Sequence, residues 1–223
     1  MQGWLGFLIA FIAFFATHAI PVRPPVKARL VALIGARGFS IAYSLLSLAV
    51  LIWLLMAAGR APFVPLWGKP LWINHLVMTL MLPACLLLAF AIGRPNPFSF
   101  GGGKSEAYVP EKPGLIRWVR HPLLVVLLIW SSTHVIANGD LAHVLVFGSF
   151  AIFSVFGMRM IDRRKRRQMG ARHDDLRIAT RSAPLFTTQA TPSGLIIRGL
   201  LGVALYGVLL FAHGPVIGIS PLP

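Results

Sequence analysis

Six apolar segments dominate this sequence and decide what it can fold into. A helix needs about 20 apolar residues to cross the hydrocarbon core of a membrane. Because the core holds no water, every backbone N–H and C=O must bond within the segment, as it does in a helix. The segments cover residues 4–20, 39–58, 71–92, 122–137, 141–161 and 195–213. They predict an all-α fold: a polytopic membrane helix bundle of about six transmembrane helices, forming a single domain over residues 1–223.

The composition excludes the common soluble classes. Charged residues make up 12% of the chain, where a soluble domain usually carries about 25%. The mean hydropathy of +0.76 is too high for a surface that faces water. A water-soluble enzyme, a disordered tail and a disulfide scaffold are therefore excluded. The single cysteine, Cys85, leaves no internal disulfide and no site for covalent haem c.

The positive charges lie on one side of the predicted helices. The chain carries 21 Lys and Arg against 6 Asp and Glu, which gives a net charge of +15. The first, third and fifth connections hold 4, 5 and 10 of these cations, and the second holds 2. Cytoplasmic loops are rich in Lys and Arg, so we expect both termini outside the cytoplasm. The same rule explains the basic charge without a nucleic-acid partner.

A basic run follows the fifth segment, with the sequence Asp162-Arg163-Arg164-Lys165-Arg166-Arg167. One interpretation is an orientation signal that stops translocation of the chain. The other is a docking patch for anionic lipid, because each basic residue near such a surface gains about 1 kcal/mol. The two interpretations are compatible, and both make membrane lipid a partner of this chain.

The chain has seven histidines, which are His18, His75, His121, His134, His143, His173 and His213. We expect His173 in a loop and the other six within the spans or at their ends. Ionisable groups at membrane depth are rare and usually functional. A pair of neutral imidazoles from facing helices is a common way to hold haem b in a helical protein. All six acidic residues lie in or beside connections, which argues against a di-iron site and a carboxylate proton relay.

The histidines differ in how readily an ordinary role explains them. An interfacial position facing water remains open for His75, His143 and His213. His121 precedes Pro122 at the start of the fourth segment, where it would cap the helix and face the headgroups. His134 lies within the fourth segment, so we interpret it as a haem ligand or a catalytic residue. A polar hydrogen bond between helices is the alternative.

Several motifs, in this order and spacing, resemble the NnrU family of membrane proteins. They extend over nearly the whole chain and comprise His18, Gly35-Ala36-Arg37-Gly38-Phe39, residues 115–122 (LIRWVRHP), residues 129–134 (IWSSTH), residues 137–141 (ANGDL), Asp162-Arg163-Arg164 and Phe211-Ala212-His213. The resemblance implies a role in denitrification and nitric oxide reductase activity, as associated with bacterial members. A related branch, the 15-cis-zeta-carotene isomerases, binds haem b through two histidines.

Carried over from that branch, the two haem ligands fall on His18 and His134, and His75 is the alternative to His18. The isomerase branch has a cysteine where this chain has Ser131, and a glutamate where it has Ala36. We therefore expect a haem b protein that supports nitric oxide metabolism. The alternatives are a haem-dependent cis-trans isomerase of a carotenoid-like polyene and a non-haem structural partner of nitric oxide reductase or another respiratory membrane protein. Whether the chain is an enzyme stays open.

Arg120, His121 and Arg37 are the candidate anchors for an anionic group. The planar guanidinium of arginine donates two parallel hydrogen bonds to a carboxylate or a phosphate. If His18 on the first helix binds haem, we expect the haem propionates to lie at the same membrane depth as Arg120. We expect a haem propionate as the first choice and a lipid phosphate as the second. The alternative is that Arg120 only adds to the orienting positive charge.

Overall fold

Helices make up most of the structure, a computed structural model that describes residues 2–100 and 105–222. Within these residues there are seven α-helices: α1 (Gln2–Ala19), α2 (Pro24–Arg60), α3 (Trp72–Ala91), α4 (Pro122–Asn138), α5 (Leu141–Met169), α6 (Ala171–Ser182) and α7 (Pro192–Ile217). Short 3-10 turns lie at Ser105–Ala107 and Gly114–Arg117. The predicted all-α, polytopic class is confirmed. Lys104, counted among the cations of the third connection, lies outside the described residues.

Each of the six predicted apolar segments forms a helix. Four of these helices, α2, α3, α5 and α7, are long and apolar enough to cross a membrane. The helices α1 and α4 are shorter but equally apolar. Their length lies near the lower end of the range of about 17–25 residues that spans a bilayer. Large apolar side chains point outward along the apolar helices. On α7, for example, Leu200 and Phe211 are 65% and 72% exposed. The chain is therefore a multi-pass membrane protein whose helices contact lipid.

The described residues divide between two compact units. The first, called here the N-terminal unit, comprises Met1–Gly68 and Gly139–Val146. The second, the C-terminal unit, comprises Lys69–Asn138 and Phe147–Pro223. The helix α5 begins in the first unit and continues into the second. The prediction of a single domain over the whole chain stays a prediction.

In the N-terminal unit, α1 packs against α2. The helix α2 begins at Pro24, well before the predicted start at residue 39, because a proline in the first turn loses no helical hydrogen bond. Gly35 interrupts α2 with a φ of 74° and a ψ of 164°, a conformation that glycine tolerates best. The predicted apolar span is the part of α2 after this break. Tyr43, in that part, donates its hydroxyl hydrogen to the carbonyl of His18 at 3.3 Å.

A glycine turn starts α5 in the same unit. Gly139 has a φ of +67°, and its carbonyl accepts hydrogen bonds from the backbone N–H groups of Leu66 and Trp67. A Cβ atom at Gly139 would lie 2.7 Å from the Trp67 carbonyl oxygen, so only glycine fits there. Asp140 then caps α5 by accepting from the backbone N–H of His143 and, at 2.7 Å, from its Nδ1. His143 is thus bound to the N-terminus of its own helix.

In the C-terminal unit, α3 packs against both α4 and α7. The contact with α7 is close because small residues meet there: Cys85 on α3 is buried and Gly202 on α7 faces it. Arg198, near the start of α7, donates through Nη1 to the carbonyls of Ala89 and Ile92, at 2.6 and 2.9 Å. These carbonyls belong to the last turn of α3, where no intrahelical donor is left. The arginine therefore fastens the end of α3 to α7.

The region after the fifth segment is helical beyond the prediction. The helix α5 continues to Met169, and Gly170 turns the chain with a φ of 59° into α6. The expectation that His173 lies in a loop is wrong, since it lies in the first turn of α6 and is only 1% exposed. The buried face of α6 includes the polar residues His173 and Thr180. No apolar segment therefore marks this helix in the sequence.

Gly202 offers a test of the packing between α3 and α7. A Cβ atom there would meet the Leu86 Cα at 3.0 Å and its Cδ2 at 2.9 Å, whereas one at Gly207 meets nothing within 4 Å. We expect Gly202→Ala to destabilise the protein by about 1–3 kcal/mol through overpacking. Gly207→Ala, the matched control on α7, should be neutral or stabilising by up to about 1 kcal/mol. Thermal unfolding in detergent measures both variants, and equal shifts would contradict the close contact.

Candidate functional site

The start of α4 is the most highly connected polar region of the C-terminal unit. Pro122 occupies the first helical position and is buried, as its missing N–H allows. The side chain of His121, just before it, is only 4% exposed and does not face outward. Its neighbour Arg120 is partly buried. A buried imidazole and a partly buried guanidinium both need hydrogen-bond partners.

Asp162 on α5 supplies those partners. One carboxylate oxygen accepts from the Nη2 of Arg120 at 2.9 Å, and the other accepts from the Nε2 of His121 at 3.0 Å. The Nδ1 of His121 lies 3.0 Å from the hydroxyl of Ser99. Since the carboxylate only accepts, Nε2 carries the proton and Nδ1 accepts from Ser99. This assigns the tautomer of His121 and makes Asp162 a double acceptor.

The loop after α3 fixes the backbone around this network. Asn96 is buried, and its Nδ2 donates to the carbonyl of Arg120 at 2.9 Å. Its Oδ1 accepts from the backbone N–H of Phe98 at 3.0 Å. Its own carbonyl accepts from the hydroxyl of Ser105 at 3.2 Å. Asn96 therefore holds the peptide of Arg120 and shapes the loop that presents Ser99.

The helix α6 completes the region. The Nη1 of Arg117 donates to three carbonyls at the end of α6, those of Thr180, Arg181 and Ala183. Tyr108 and Thr180 share a hydroxyl hydrogen bond of 2.8 Å. At the other end of α6, the ring of His173 meets the ring of Phe98 edge to face. These contacts hold α6 against the segment between α3 and α4.

A cavity of about 340 Å³ opens between these elements. This volume lies at the lower end of the range for small-molecule sites, about 300–1,000 Å³. Both cationic and apolar residues line it. The cationic ones are Arg117, Arg120, Arg177 and Arg181, and the apolar ones include Phe98, Ile116, Trp118, Val125 and Met158. The cavity is therefore amphiphilic and strongly basic.

The charges of this region are unevenly paired. Burial lowers the pKa of His121 below the ordinary histidine value; Asp162 opposes this shift, and Arg120 adds to it. Burial also lowers the pKa of Arg177, and the charges of Arg120 and Arg181 lower it further. Among the described residues, the Nη1 of Arg120 and the Nε2 of His173 are the buried side-chain atoms that have no hydrogen-bond partner. The cavity therefore has an excess of positive charge and a buried donor without an acceptor.

The predicted haem ligand His134 lies on α4, partly buried. Its ring centre lies 5.0 Å from that of Trp130 and 4.9 Å from that of Phe147. Its Nδ1 lies 2.7 Å from the carbonyl of Trp130, one turn earlier. A carbonyl only accepts, so Nδ1 carries the proton and Nε2 the lone pair. Histidines that bind metals usually donate the other ring N–H in this way.

The two candidates for the second ligand share this arrangement. The Nδ1 of His18 bonds to the carbonyl of Phe14 at 2.8 Å, and that of His75 bonds to the carbonyl of Leu71 at 3.3 Å. His18 is partly buried in the N-terminal unit, whereas His75 is exposed on α3 in the C-terminal unit. Over residues 2–100 and 105–222 no three His, Cys, Asp or Glu side chains cluster as a metal site would. Haem ligation by two histidines stays a prediction.

The three predicted anion anchors fall in different places. Arg120 and His121 share Asp162 in the C-terminal unit, whereas Arg37 is exposed on α2 in the N-terminal unit. Their predicted role remains untested by these contacts. Sequence reasoning missed Asn96, although its position between two prolines marks a rigid turn. It also missed Arg177, which the surrounding run of charges conceals.

These features define a class: an all-α, polytopic membrane protein with a partly buried Arg–His–Asp network beside the start of α4. The NnrU protein family matches residues 6–221, nearly the whole chain. The chain belongs to the NnrU family, which confirms the resemblance seen in the sequence. No curated protein and no solved structure matches it.

The shifted pKa of His121 predicts a loss of stability in acid. The unfolded chain binds a proton at His121 near pH 6.5, whereas the folded chain resists it, so stability falls as pH drops through that value. We expect His121→Gln to reduce the decrease in melting temperature between about pH 7.5 and pH 5.5. His213→Gln, at a histidine outside this network, is the control and should keep the wild-type dependence. An unchanged pH dependence in His121→Gln would contradict the burial of a neutral imidazole.

Proposed function

We propose that this NnrU family protein binds haem b through His134 and supports nitric oxide metabolism in denitrification. The observation that carries the proposal is the hydrogen bond from the Nδ1 of His134 to the carbonyl of Trp130, at 2.7 Å. It directs the basic nitrogen of a partly buried histidine away from its own helix. The residues present fit the group: an oriented imidazole and an aromatic, apolar surface around it.

The residues that hold haem are His134 and one of two further histidines, His18 or His75. When bound, haem supplies a one-electron redox centre. The protein's own contribution is to fix the tautomer of each imidazole and to exclude water with aromatic rings. Trp130 and Phe147 do this beside His134, and Phe14 beside His18, with ring centres 4.0 Å apart.

Ser131 favours an accessory role over polyene isomerisation. It is buried on α4, and its hydroxyl donates to the carbonyl of Leu127 at 2.6 Å. The hydroxyl is thereby used within the helix and supplies no thiolate, whereas the isomerase branch carries a cysteine at this position. In this accessory role the chain acts with a partner protein, such as nitric oxide reductase or another respiratory membrane protein.

The proposed setting is the bacterial inner membrane, with both termini in the periplasm. Its support is the concentration of 19 of the 21 cations in alternate connections. This orientation places the network of Arg120, His121 and Asp162 on the cytoplasmic side. A C-terminal alkaline phosphatase fusion should be active and a C-terminal fluorescent protein dark. The reverse pattern would overturn the orientation.

A deletion strain complemented with histidine variants tests the function. Wild-type protein should give a sharp Soret band, and its strain should consume nitric oxide at the normal rate. We expect His134→Ala to lose both the band and the consumption, because the proposed haem ligand is removed. His213→Ala serves as the control, since the Nδ1 of His213 bonds to a carbonyl near the C-terminus. His18→Ala and His75→Ala then show which residue supplies the second ligand.

The outcomes separate the candidate functions. Colourless wild-type protein from haem-replete cells, with nitric oxide consumption lost on deletion, would favour the non-haem structural partner. Normal nitric oxide consumption in the deletion strain, together with haem in the purified protein, would remove the proposed role and favour the isomerase. Haem retained in His134→Ala would contradict the ligand assignment itself.

A further inference from the structure

The basic cavity of the C-terminal unit holds more positive charge than its neighbours neutralise. Four guanidinium groups line it, on Arg117, Arg120, Arg177 and Arg181. Asp162 is the carboxylate that bonds to one of them, and it is shared with His121. The next carboxylate along the chain, Asp174, pairs with Arg166 and His173 instead. Among the described residues, Asp162 is the carboxylate within ion-pair distance of these arginines, and it also attracts Arg177, so the lining carries a net positive charge.

The guanidinium of Arg120 is only partly paired. Its Nη2 donates to Asp162, whereas its Nη1 is buried without a hydrogen-bond partner. A buried donor of a charged group left unpaired is costly, and native proteins rarely keep one. Arg177, partly buried nearby, has its pKa lowered by desolvation and by the charge of Arg120. An anion bound between Arg120 and Arg177 would reduce the repulsion between their charges.

We propose that this cavity binds the phosphate group of an anionic membrane lipid, held by Arg120, Arg177 and Arg181. Guanidinium groups pair with phosphate oxygens through parallel hydrogen bonds. The lining also includes Val125, from the first turn of α4, and Met158, from the apolar part of α5. This places the cavity where apolar helices end, at the level of lipid phosphates. A soluble phosphate ester has no need of such an apolar wall.

The site is separate from the proposed haem site. His134 lies 12 residues after Pro122, the first residue of α4, which corresponds to a rise of about 18 Å. The lipid site therefore does not rest on haem binding, and each proposal can fail alone. It also differs from the exposed basic run, because Arg177 and Arg181 belong to α6.

Native mass spectrometry in detergent tests the site, with dioleoyl phosphatidic acid as the probe and dioleoyl phosphatidylcholine as the reference lipid. We expect wild type to retain phosphatidic acid selectively and Arg177→Gln to weaken its binding by about tenfold, because a charged hydrogen bond is lost. Arg177→Lys keeps the charge without the planar fork and should be intermediate. The matched control is Arg172→Gln, which removes an exposed charge from the same helix and should bind as wild type does.

Three further measurements decide the source and the specificity. Glycerol 3-phosphate binding as tightly as phosphatidic acid would assign the site to a soluble phosphate ester and overturn the lipid. Equal losses in Arg172→Gln and Arg177→Gln, at unchanged melting temperatures, would reduce the effect to surface charge and overturn the site. Haem content should stay at the wild-type level in Arg177→Gln. Loss of haem with phosphatidic acid binding intact would assign the arginines to a propionate and also overturn the proposal.

Discussion

The carboxylate of Asp162 joins the two residues before α4 to the part of α5 that follows its apolar segment, and a polar region of the C-terminal unit is built around it. It accepts from the Nη2 of Arg120 and from the Nε2 of His121. Because both donors are wholly or partly removed from water, the acceptor is indispensable to them. The interaction also fixes the tautomer of His121, which allows Ser99 to donate to its other nitrogen. One acid thus organises three further side chains and leaves the nearby arginines short of anions.

The apolar helices could be predicted from the sequence because each is marked by one continuous segment of about 20 apolar residues. The sequence also singled out Arg120, His121 and Pro122, since proline marks a helix start. It could not predict α6, whose buried face includes His173 and Thr180, because no apolar pattern marks such a face. Nor could it predict that Asn96 bonds to the carbonyl of Arg120, 24 residues away. Contacts of this kind depend on tertiary packing, which a reading of local pattern does not contain.

The hydrogen-bond acceptor of Nδ1 determines the tautomer of several histidines. In His18, His75 and His134 the Nδ1 bonds to a carbonyl four residues earlier. The bond satisfies a polar atom where water is scarce and settles which nitrogen is basic. His143 and His173 bond through Nδ1 to aspartates instead. In the first group the acceptor is a backbone carbonyl of the same helix, and in the second it is a carboxylate close in the sequence.

The length of α5 changes the meaning of the basic run at its end. At about 1.5 Å per residue, its 29 residues extend about 43 Å, whereas the hydrocarbon core measures about 30 Å. The last turns therefore extend beyond the hydrocarbon core. Residues 163–167 are consecutive on this helix, so their side chains radiate about 100° apart around its axis. The run therefore places positive side chains on all sides of the helix, and their charge opposes movement of this end of α5 into lipid.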